Sequence, residues 1–241
     1  MPMAFAVSVA VLLGLLAGAA ARRAALAFTV PTGQPPRTLC PHCDTPITST
    51  ALRTSLGRCH SCSERLGAPA LLPEVLTVVL WGLVVAAAGV SWTAAALLWL
   101  SACGVALALA DWTEHVLPDR LTLPTGLGLA VLLGVAAAAE DHGGAFLRAL
   151  GGALVLGLFY LLVALVSNLG LGDVKLAPVL GAALAWFGWL YLIPGLLLGF
   201  FLGALYGVGL LALRRASAKA KIAFGPFMIA GTLGVCLLAA R

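Results

Sequence analysis

Long apolar stretches, separated by short polar segments, run through the chain and predict a bundle of membrane-spanning helices. A helix crosses a bilayer with about 20 consecutive apolar residues. Residues 71–110 and 174–213 are too long for one helix each, so we expect breaks near Gly89–Trp92 and near Trp189–Pro194. The pattern therefore predicts eight spans. They are residues 3–21, two parts of 71–110, 121–139, 145–166, two parts of 174–213, and 222–240.

The composition supports this membrane assignment. The chain has 241 residues, of which 62% are hydrophobic and only 10% are charged. A soluble domain carries about a quarter charged residues, so this chain could not cover its surface with polar side chains in water. No basic face of a soluble domain is visible in the sequence, and we therefore expect no nucleic-acid partner. The predicted fold class is all-α, a polytopic membrane helix bundle with one small loop domain.

The polar segments divide the chain into three parts. We expect a first transmembrane helix at residues 1–21, a cytoplasmic loop at 22–70 and a seven-helix membrane core at 71–241. Lys and Arg favour the cytoplasmic side of a membrane. A topology with the amino terminus outside places twelve of the fourteen Lys and Arg residues on that side. They are Arg22, Arg23, Arg37, Arg53, Arg58, Arg65, Arg120, Lys175, Arg214, Arg215, Lys219 and Lys221.

Four cysteines in the polar loop form two closely spaced pairs, Cys40–Cys43 and Cys59–Cys62. The spacing C-x2-C-x15-C-x2-C is typical of a tetrahedral Zn²⁺ site with four thiolate ligands. Such a shell is filled by protein, so the metal would hold the loop together and take no part in catalysis. Two disulfides or free thiols are the alternatives, and a cytoplasmic location disfavours disulfides. His42 and His60, inside the pairs, are alternative ligands.

Two aspartates lie at the ends of apolar runs, where an acidic side chain is costly. Asp111 follows span three, and Asp173 opens span six. On the predicted topology both lie at the cytoplasmic face, so their carboxyl groups can meet. When two carboxyls meet, one keeps its proton near neutral pH. The ionised one can then activate water against a peptide carbonyl, while the neutral one protonates the carbonyl oxygen.

Neighbouring residues add to this hypothesis and leave alternatives open. Gly170 and Gly172 remove side chains beside Asp173, which would let a substrate backbone approach closely. Asp173 could instead cap its helix, and Asp111 and Asp119 could be interfacial loop charges. The sequence offers no Ser-His-Asp set and no HExxH helix for a different hydrolytic mechanism.

The motifs around these residues resemble those of the type IV prepilin peptidases, a bacterial family of intramembrane aspartyl proteases. ADWTEHVLPDRLTLP at 110–124 is similar to the first aspartate motif of that family, and GLGDVKL at 170–176 is similar to its GxGD motif. FGPF at 224–227 resembles the closing segment of the family. The four-cysteine loop resembles that of the two-domain members. The resemblance covers about residues 35–235.

The resemblance implies a role for each matching residue. Asp111 and Asp173 would be the catalytic pair, and Asp119 would support them. Lys175 would orient the loop or hold an acidic group of the substrate, unless it is only a cytoplasmic charge. Glu74 matches a glutamate of the family, and an interfacial carboxylate with no catalytic role is the alternative.

The resemblance also implies a substrate and a location. The substrates would be prepilin-like membrane proteins with a short basic leader that ends in glycine and precedes an apolar helix. Cleavage would follow that glycine at the cytoplasmic face of the bacterial inner membrane. Many members of the family then methylate the new amino terminus with S-adenosylmethionine. This chain lacks the Phe and Asn of the GSFLN-like stretch and the longer filler between the cysteine pairs, which leaves methylation open.

Two other functions would use the same residues. A proton-coupled transporter would use Asp111 and Asp173 as a relay, but it would place them near the middle of the bilayer. A non-enzymatic membrane scaffold would bind a partner through the zinc loop. That scaffold would tolerate asparagine at both aspartate positions.

Overall fold

Eight α-helices dominate a computed structural model of the chain, which describes residues 3–30, 34–47, 57–69, 71–167, 170–214 and 223–241. The predicted all-helical class is confirmed. The helices are α1 Met3–Phe28, α2 Leu72–Ala88, α3 Trp92–Glu114, α4 Asp119–Ala139, α5 Gly143–Val166, α6 Leu171–Phe187, α7 Leu192–Ala212 and α8 Gly225–Ala239. A single 3₁₀ turn, Trp189–Tyr191, leads into α7. The basic residues Arg53, Arg215, Lys219 and Lys221 lie outside the described residues.

Helix length separates clear membrane spans from shorter apolar helices. Among the described residues, five segments are long and apolar enough to cross a bilayer. They are Val7–Phe28, Trp92–Glu114, Asp119–Ala139, Gly143–Val166 and Trp189–Ala212. Helices α2 and α8 are equally apolar but shorter. Helix α6 has 17 residues and carries Asp173 in its first turn. The chain is therefore a multi-pass membrane protein whose shorter helices complete the bundle.

Local sequence signals end and restart the helices where the pattern predicted. Helix α2 has a proline in its first turn and stops at Gly89, whose φ of 64° suits glycine. Ser91 then caps α3, because its hydroxyl accepts a hydrogen bond of 2.9 Å from the Ala94 amide. The second long apolar run is likewise interrupted at Gly188, where φ is 153°.

Helix α6 lies at the centre of the bundle. It packs against α5, α4, α8 and α7, and most of its side chains are buried. Small residues allow the closest approaches, as is common between membrane helices. A Cβ atom on Gly152 of α5 would overlap the backbone of Gly181, and the reverse is also true. This packing fixes the first turn of α6, which carries Asp173, relative to its neighbours.

The turn between α4 and α5 is fastened to the start of α3. The Glu140 carboxylate accepts hydrogen bonds from the Trp92 amide at 2.6 Å and from the Thr93 hydroxyl at 2.8 Å. Burial works against the charged form of Glu140. The hydrogen bonds from Thr93 and Trp92 outweigh that effect and hold the pKa of this carboxyl below its ordinary value.

A buried ion pair joins α1 to α2. Helix α1 continues beyond Ala21 to Phe28, so Arg22 lies inside the helix and is buried against the Glu74 carboxylate. A Cβ on Gly18 would overlap the Glu74 backbone, so the glycine allows this close approach. Arg22, expected as a topology charge in a loop, thus has a structural partner in the bundle. The same ion pair explains why the acidic side chain of Glu74 can be buried.

We expect Glu74→Ala to destabilise the protein by about 3–5 kcal/mol, because buried Arg22 would lose the carboxylate that faces it. The double variant Arg22→Met/Glu74→Met should recover most of this loss, since it removes both charges. Unfolding by heat or denaturant in detergent measures the effect. Glu114→Ala, at the exposed end of α3, is the control. Equal unfolding midpoints for Glu74→Ala and the control would contradict a structural role for the pair.

Candidate active site and metal centre

Asp111 and Asp173 lie at the same end of the bundle, which we call the aspartate end. Asp111 lies in the last turn of α3 and Asp173 in the first turn of α6, and their exposed fractions are only 6% and 7%. Asp173 is within range of the charge of Asp111. Leu117 packs against Gly172, where an added Cβ would lie 2.9 Å from the Leu117 Cβ. The structure therefore brings together two residues that are far apart in sequence.

The start of α8 supplies a hydrogen-bond donor to this pair. The Gly225 amide donates to Asp111 Oδ2 at 2.9 Å. A Cβ on Gly225 would lie 2.8 Å from the same oxygen, so only glycine permits the contact. Backbone amides at a helix start carry partial positive charge, which favours a carboxylate. The FGPF motif was visible in the sequence, but the role of Gly225 toward Asp111 was not inferred from it.

Asp173 is not the N-cap residue of α6, which was the alternative to a catalytic role. The N-cap of α6 is Gly170, without a side-chain cap, and Asp173 lies inside the first turn. A Cβ on Gly170 would be 3.5 Å from Asp173 Oδ2, which is ordinary contact, whereas Gly172 has no room for one beside Leu117. Of the two glycines, Gly172 is the one that the packing requires.

Lys175 and Asp119 form an ion pair at the rim of the site. Lys175 Nζ donates to Asp119 Oδ1 at 2.6 Å, and both side chains are about half exposed, at 53% and 56%. An exposed pair contributes little to stability. It does join the amino-terminal part of α6 to the first residue of α4. Glu74, in contrast, lies in the Arg22 contact described above and is not brought to the two aspartates by any described interaction.

Two sets of packed aromatic rings include the sequence neighbours of Asp111 and Gly225. Trp112 packs on Tyr206, and Tyr206 packs on Phe227, with both pairs of ring centroids 5.3 Å apart. Phe224 packs on Phe200, with ring centroids 5.0 Å apart. These residues come from α3, α7 and the start of α8, and sequence reasoning assigned none of them to the site. Trp112 directly follows Asp111 and Phe224 directly precedes Gly225, and this adjacency is the sequence signal that could have indicated both rings.

Four thiols converge in the loop after α1. Cys40, Cys43, Cys59 and Cys62 offer sulfur atoms that all lie within 4.8 Å of one another. The Sγ atoms are 3.8 Å apart for Cys40 and Cys62, and 3.6 Å apart for Cys43 and Cys59. A disulfide requires about 2.0 Å, and none is formed. The edge of a sulfur tetrahedron around a metal at about 2.3 Å is roughly 3.8 Å. The cluster therefore has the dimensions of a metal site.

The two cysteine pairs adopt the same backbone conformation. The Cys40 amide bonds the Thr45 carbonyl and the Asp44 amide bonds the Cys40 carbonyl, at 2.9 and 3.0 Å. The equivalent bonds from Cys59 to Glu64 and from Ser63 to Cys59 have the same lengths. Asp44 and Ser63 both have positive φ. This local repeat, which the sequence analysis did not detect, presents each pair of sulfurs to one common point.

Backbone amides stabilise the thiolate form of one cysteine of the cluster. The amides of Cys62 and Ser61 point at the Cys59 sulfur and lower the pKa of that thiol to about 5. The Glu64 amide also favours the thiolate of Cys62, but burial and the neighbouring thiols outweigh it and raise the pKa of that thiol. A thiolate is the form that binds a metal. The loop is fastened to α1 by the Arg37 amide, which donates to the Ala27 carbonyl at 2.8 Å. His42 and His60 are not part of the cluster that could hold a metal among the described residues.

Comparison with known proteins gives a consistent set of relatives. A family model described as Type IV leader peptidase family matches residues 97–208, which contain both aspartates. "Prepilin leader peptidase/N-methyltransferase" of Aeromonas hydrophila is 36% identical over 210 residues, or 83% of this chain and 71% of that protein. The protein of the same name from Pseudomonas aeruginosa is 38% identical over 185 residues, or 74% and 62%. No solved structure matches the chain significantly.

We expect the purified protein to retain about one thiophilic divalent ion per chain, and Cys59→Ser to lose most of it, because one ligand of four is removed. Elemental mass spectrometry of the protein measures the metal content. Cys103→Ser, which changes a cysteine outside the cluster, should leave the metal content unchanged. Equal metal content in the two variants would contradict the assignment of the cluster.

Proposed function

The chain belongs to the type IV leader peptidase family, and from that premise we propose that it is an aspartyl endopeptidase that removes the leader of prepilin-like membrane proteins. The observation that carries this proposal is the buried pair Asp111 and Asp173, with the Gly225 amide on one of its oxygens. Two carboxyl groups in this arrangement supply both a base and an acid without a covalent intermediate.

The hydrogen bond from Gly225 distinguishes the two aspartates. A backbone amide at a helix start stabilises a carboxylate, so Asp111 is the ionised member and Asp173 keeps the proton. Asp111 then removes a proton from a water molecule as the water oxygen attacks the peptide carbonyl. Asp173 gives its proton to the carbonyl oxygen, which forms a neutral tetrahedral intermediate. On collapse of that intermediate the C–N bond breaks, and the proton held by Asp111 passes to the departing amine. One hydroxyl of the intermediate returns its proton to the Asp173 carboxylate as the new carboxyl group forms, so both aspartates regain their starting states.

The position of the pair suits a peptide bond at the membrane surface. Asp111 is followed within the same turn by the exposed residues Glu114 and His115, so the aspartates lie at the end of the helices. A prepilin-like substrate changes from a polar basic leader to an apolar helix at its cleavage site. The substrate helix can therefore stay in the bilayer while the bond after the leader glycine reaches Asp111 and Asp173. The asymmetry of the basic residues supports a cytoplasmic aspartate end in the inner membrane.

For the cysteine loop we propose structural Zn²⁺. The sulfur separations of 3.6 and 3.8 Å agree with a tetrahedral thiolate shell of about 2.3 Å radius. Cys40, Cys43, Cys59 and Cys62 would occupy all four positions. No open position is left for water or substrate, so the ion would stabilise the loop and leave the chemistry to the aspartates.

Methyl transfer is a second activity in the names of the relatives. S-adenosylmethionine would require polar groups for its sulfonium, ribose and amino-acid parts. A cavity of about 500 Å³ between α1, α3 and α4 is walled by apolar side chains, and Arg120 is the one charged residue among the described residues that line it. That cavity does not suit this cationic methyl donor, and we derive no methyl-transfer step from it.

The rival functions make different demands on the same residues. A proton relay would place the carboxylates inside the membrane, whereas Asp111 and Asp173 lie at helix ends. A scaffold would not require two acidic side chains to be buried beside each other, at the cost of removing them from water. The peptidase accounts for both observations.

We expect Asp111→Asn and Asp173→Asn each to lower the rate of prepilin cleavage by at least about a hundredfold, because each removes one proton-transfer group. The assay is co-expression with a prepilin-like substrate, with leader removal scored by mass. Asp141→Asn, an exposed acid at the opposite end of the bundle, is the matched control. Cleavage by either dyad variant at the rate of the native chain would refute the aspartyl mechanism.

We expect Gly225→Ala to lower cleavage with little loss of folded protein, because the new methyl group would lie 2.8 Å from Asp111 Oδ2 and displace that carboxylate. Gly209→Ala, where nothing lies within 4 Å of the added Cβ, should cleave at the native rate. The same mass assay and an unfolding measurement in detergent compare the two variants. Native activity in Gly225→Ala would show that the Asp111 contact is dispensable.

A further inference from the structure

An apolar groove lies between α1 and α4, with α3 as its floor. Its volume is about 500 Å³, within the range of about 300–1,000 Å³ typical of ligand sites. Small side chains make most of the contact surface, including Ala20 and Ala24 on α1 and Ala102 and Ala106 on α3. Nothing in the proposed peptidase mechanism uses this groove.

The walls of the groove offer almost no polar partner. Two indole rings, Trp81 and Trp99, form part of its lining. Their N–H groups are already committed, to the Leu98 carbonyl at 3.2 Å and the Thr125 carbonyl at 3.1 Å. The part of an occupant that enters the groove must therefore be apolar.

A positively charged side chain lies at the end of the groove nearest the two aspartates. Arg120 lines the groove from the first turn of α4, and its side chain is exposed. No carboxylate among the described residues pairs with Arg120, and the adjacent Asp119 is already paired with Lys175. An occupant with an apolar tail and an anionic end would match both features.

The apolar helix of a prepilin-like substrate does not fit this groove, for reasons of direction and size. Ala102 and Asp111 are nine residues apart on α3, or about two and a half turns, so they face opposite sides of that helix. A substrate helix in the groove would carry its cleavage site away from the two aspartates. Such a helix, about 10 Å wide and 30 Å long, also fills roughly 2,400 Å³, which is several times the volume of the groove.

We propose that this groove binds one acyl chain of an anionic phospholipid, with the phosphate held by Arg120. The groove runs from Ala106 to Ala95 on α3, about 17 Å at the helical rise, along the direction that an acyl chain takes from the membrane surface. Anionic lipids are attracted by basic side chains at that surface, by about 1 kcal/mol for each. The bound lipid fills the gap between α1 and α4 and so stabilises the contact of the first helix with the core.

The experiment compares lipid retention by the full-length protein. Detergent-purified protein is incubated with equal amounts of dioleoyl phosphatidylglycerol and dioleoyl phosphatidylcholine, and bound lipids are counted by native mass spectrometry. We expect the native chain to prefer phosphatidylglycerol. Arg120→Gln should lower that preference about fivefold, as the loss of one basic contact predicts, and Ala20→Leu should reduce retention of both lipids because it fills the groove.

Two matched variants and one further assay make the outcome decisive. Arg214→Gln removes an exposed charge at the same end but outside the groove, and Ala204→Leu adds the same bulk to an exposed position on α7. Both should retain lipids as the native chain does. An equal effect of Arg120→Gln and Arg214→Gln would overturn the proposal in favour of diffuse surface charge. Unchanged lipid retention with lowered prepilin cleavage in Ala20→Leu would assign the groove to the substrate helix. If the native chain shows no prepilin cleavage, the proposed peptidase function fails, but the lipid counts still test this groove because they do not depend on cleavage.

Discussion

Two carboxyl groups buried side by side in an apolar bundle are the constraint around which the rest of the structure is arranged. Each charge removed from water costs free energy, and two charges together cost more. Among the residues that the structure describes, the Gly225 amide offsets part of this cost by donating a hydrogen bond to Asp111 Oδ2. In the mechanism that we propose, that asymmetry assigns the charge to Asp111 and the proton to Asp173, which is the division of roles that hydrolysis requires.

Close backbone packing keeps this arrangement in place. Asp173 is fixed by α6, which the Gly152–Gly181 contact holds against α5. Gly225 is fixed by α8, where Gly231 approaches the backbone of α7 at Gly199 just as closely. Between them, Leu117 fills the space beside Gly172. Membrane helices gain little from excluding water, so small residues at their contacts supply the packing that holds the site.

The four-cysteine cluster and the first helix form a second unit next to this core. The loop is tied to α1 by Arg37 and Leu66, and α1 is tied to α2 by Arg22 and Glu74. A buried ion pair contributes specificity of arrangement more than net stability. Here the pair joins α1 to α2 beside the close contact of Gly18 with the Glu74 backbone. The ion pair, the groove and the cysteine loop thus decide how this unit meets the catalytic core.

The sequence alone determined the features that depend on short stretches of chain. Apolar length set the helices and their breaks, because a span must match the bilayer whatever surrounds it. Cysteine spacing indicated the metal cluster, because each pair closes within a few residues. The two aspartates could be picked out because an acid at the end of an apolar run is costly.

Only the tertiary structure decided which partners these residues have. Gly225 and Asp111 are 114 residues apart, Lys175 and Asp119 are 56 apart, and Arg22 and Glu74 are 52 apart. No local pattern encodes such pairings, since they depend on how eight helices are ordered and rotated about one another. For this reason Glu74, which the motif left ambiguous, has a structural ion pair, and Gly225 acquired a role at the site.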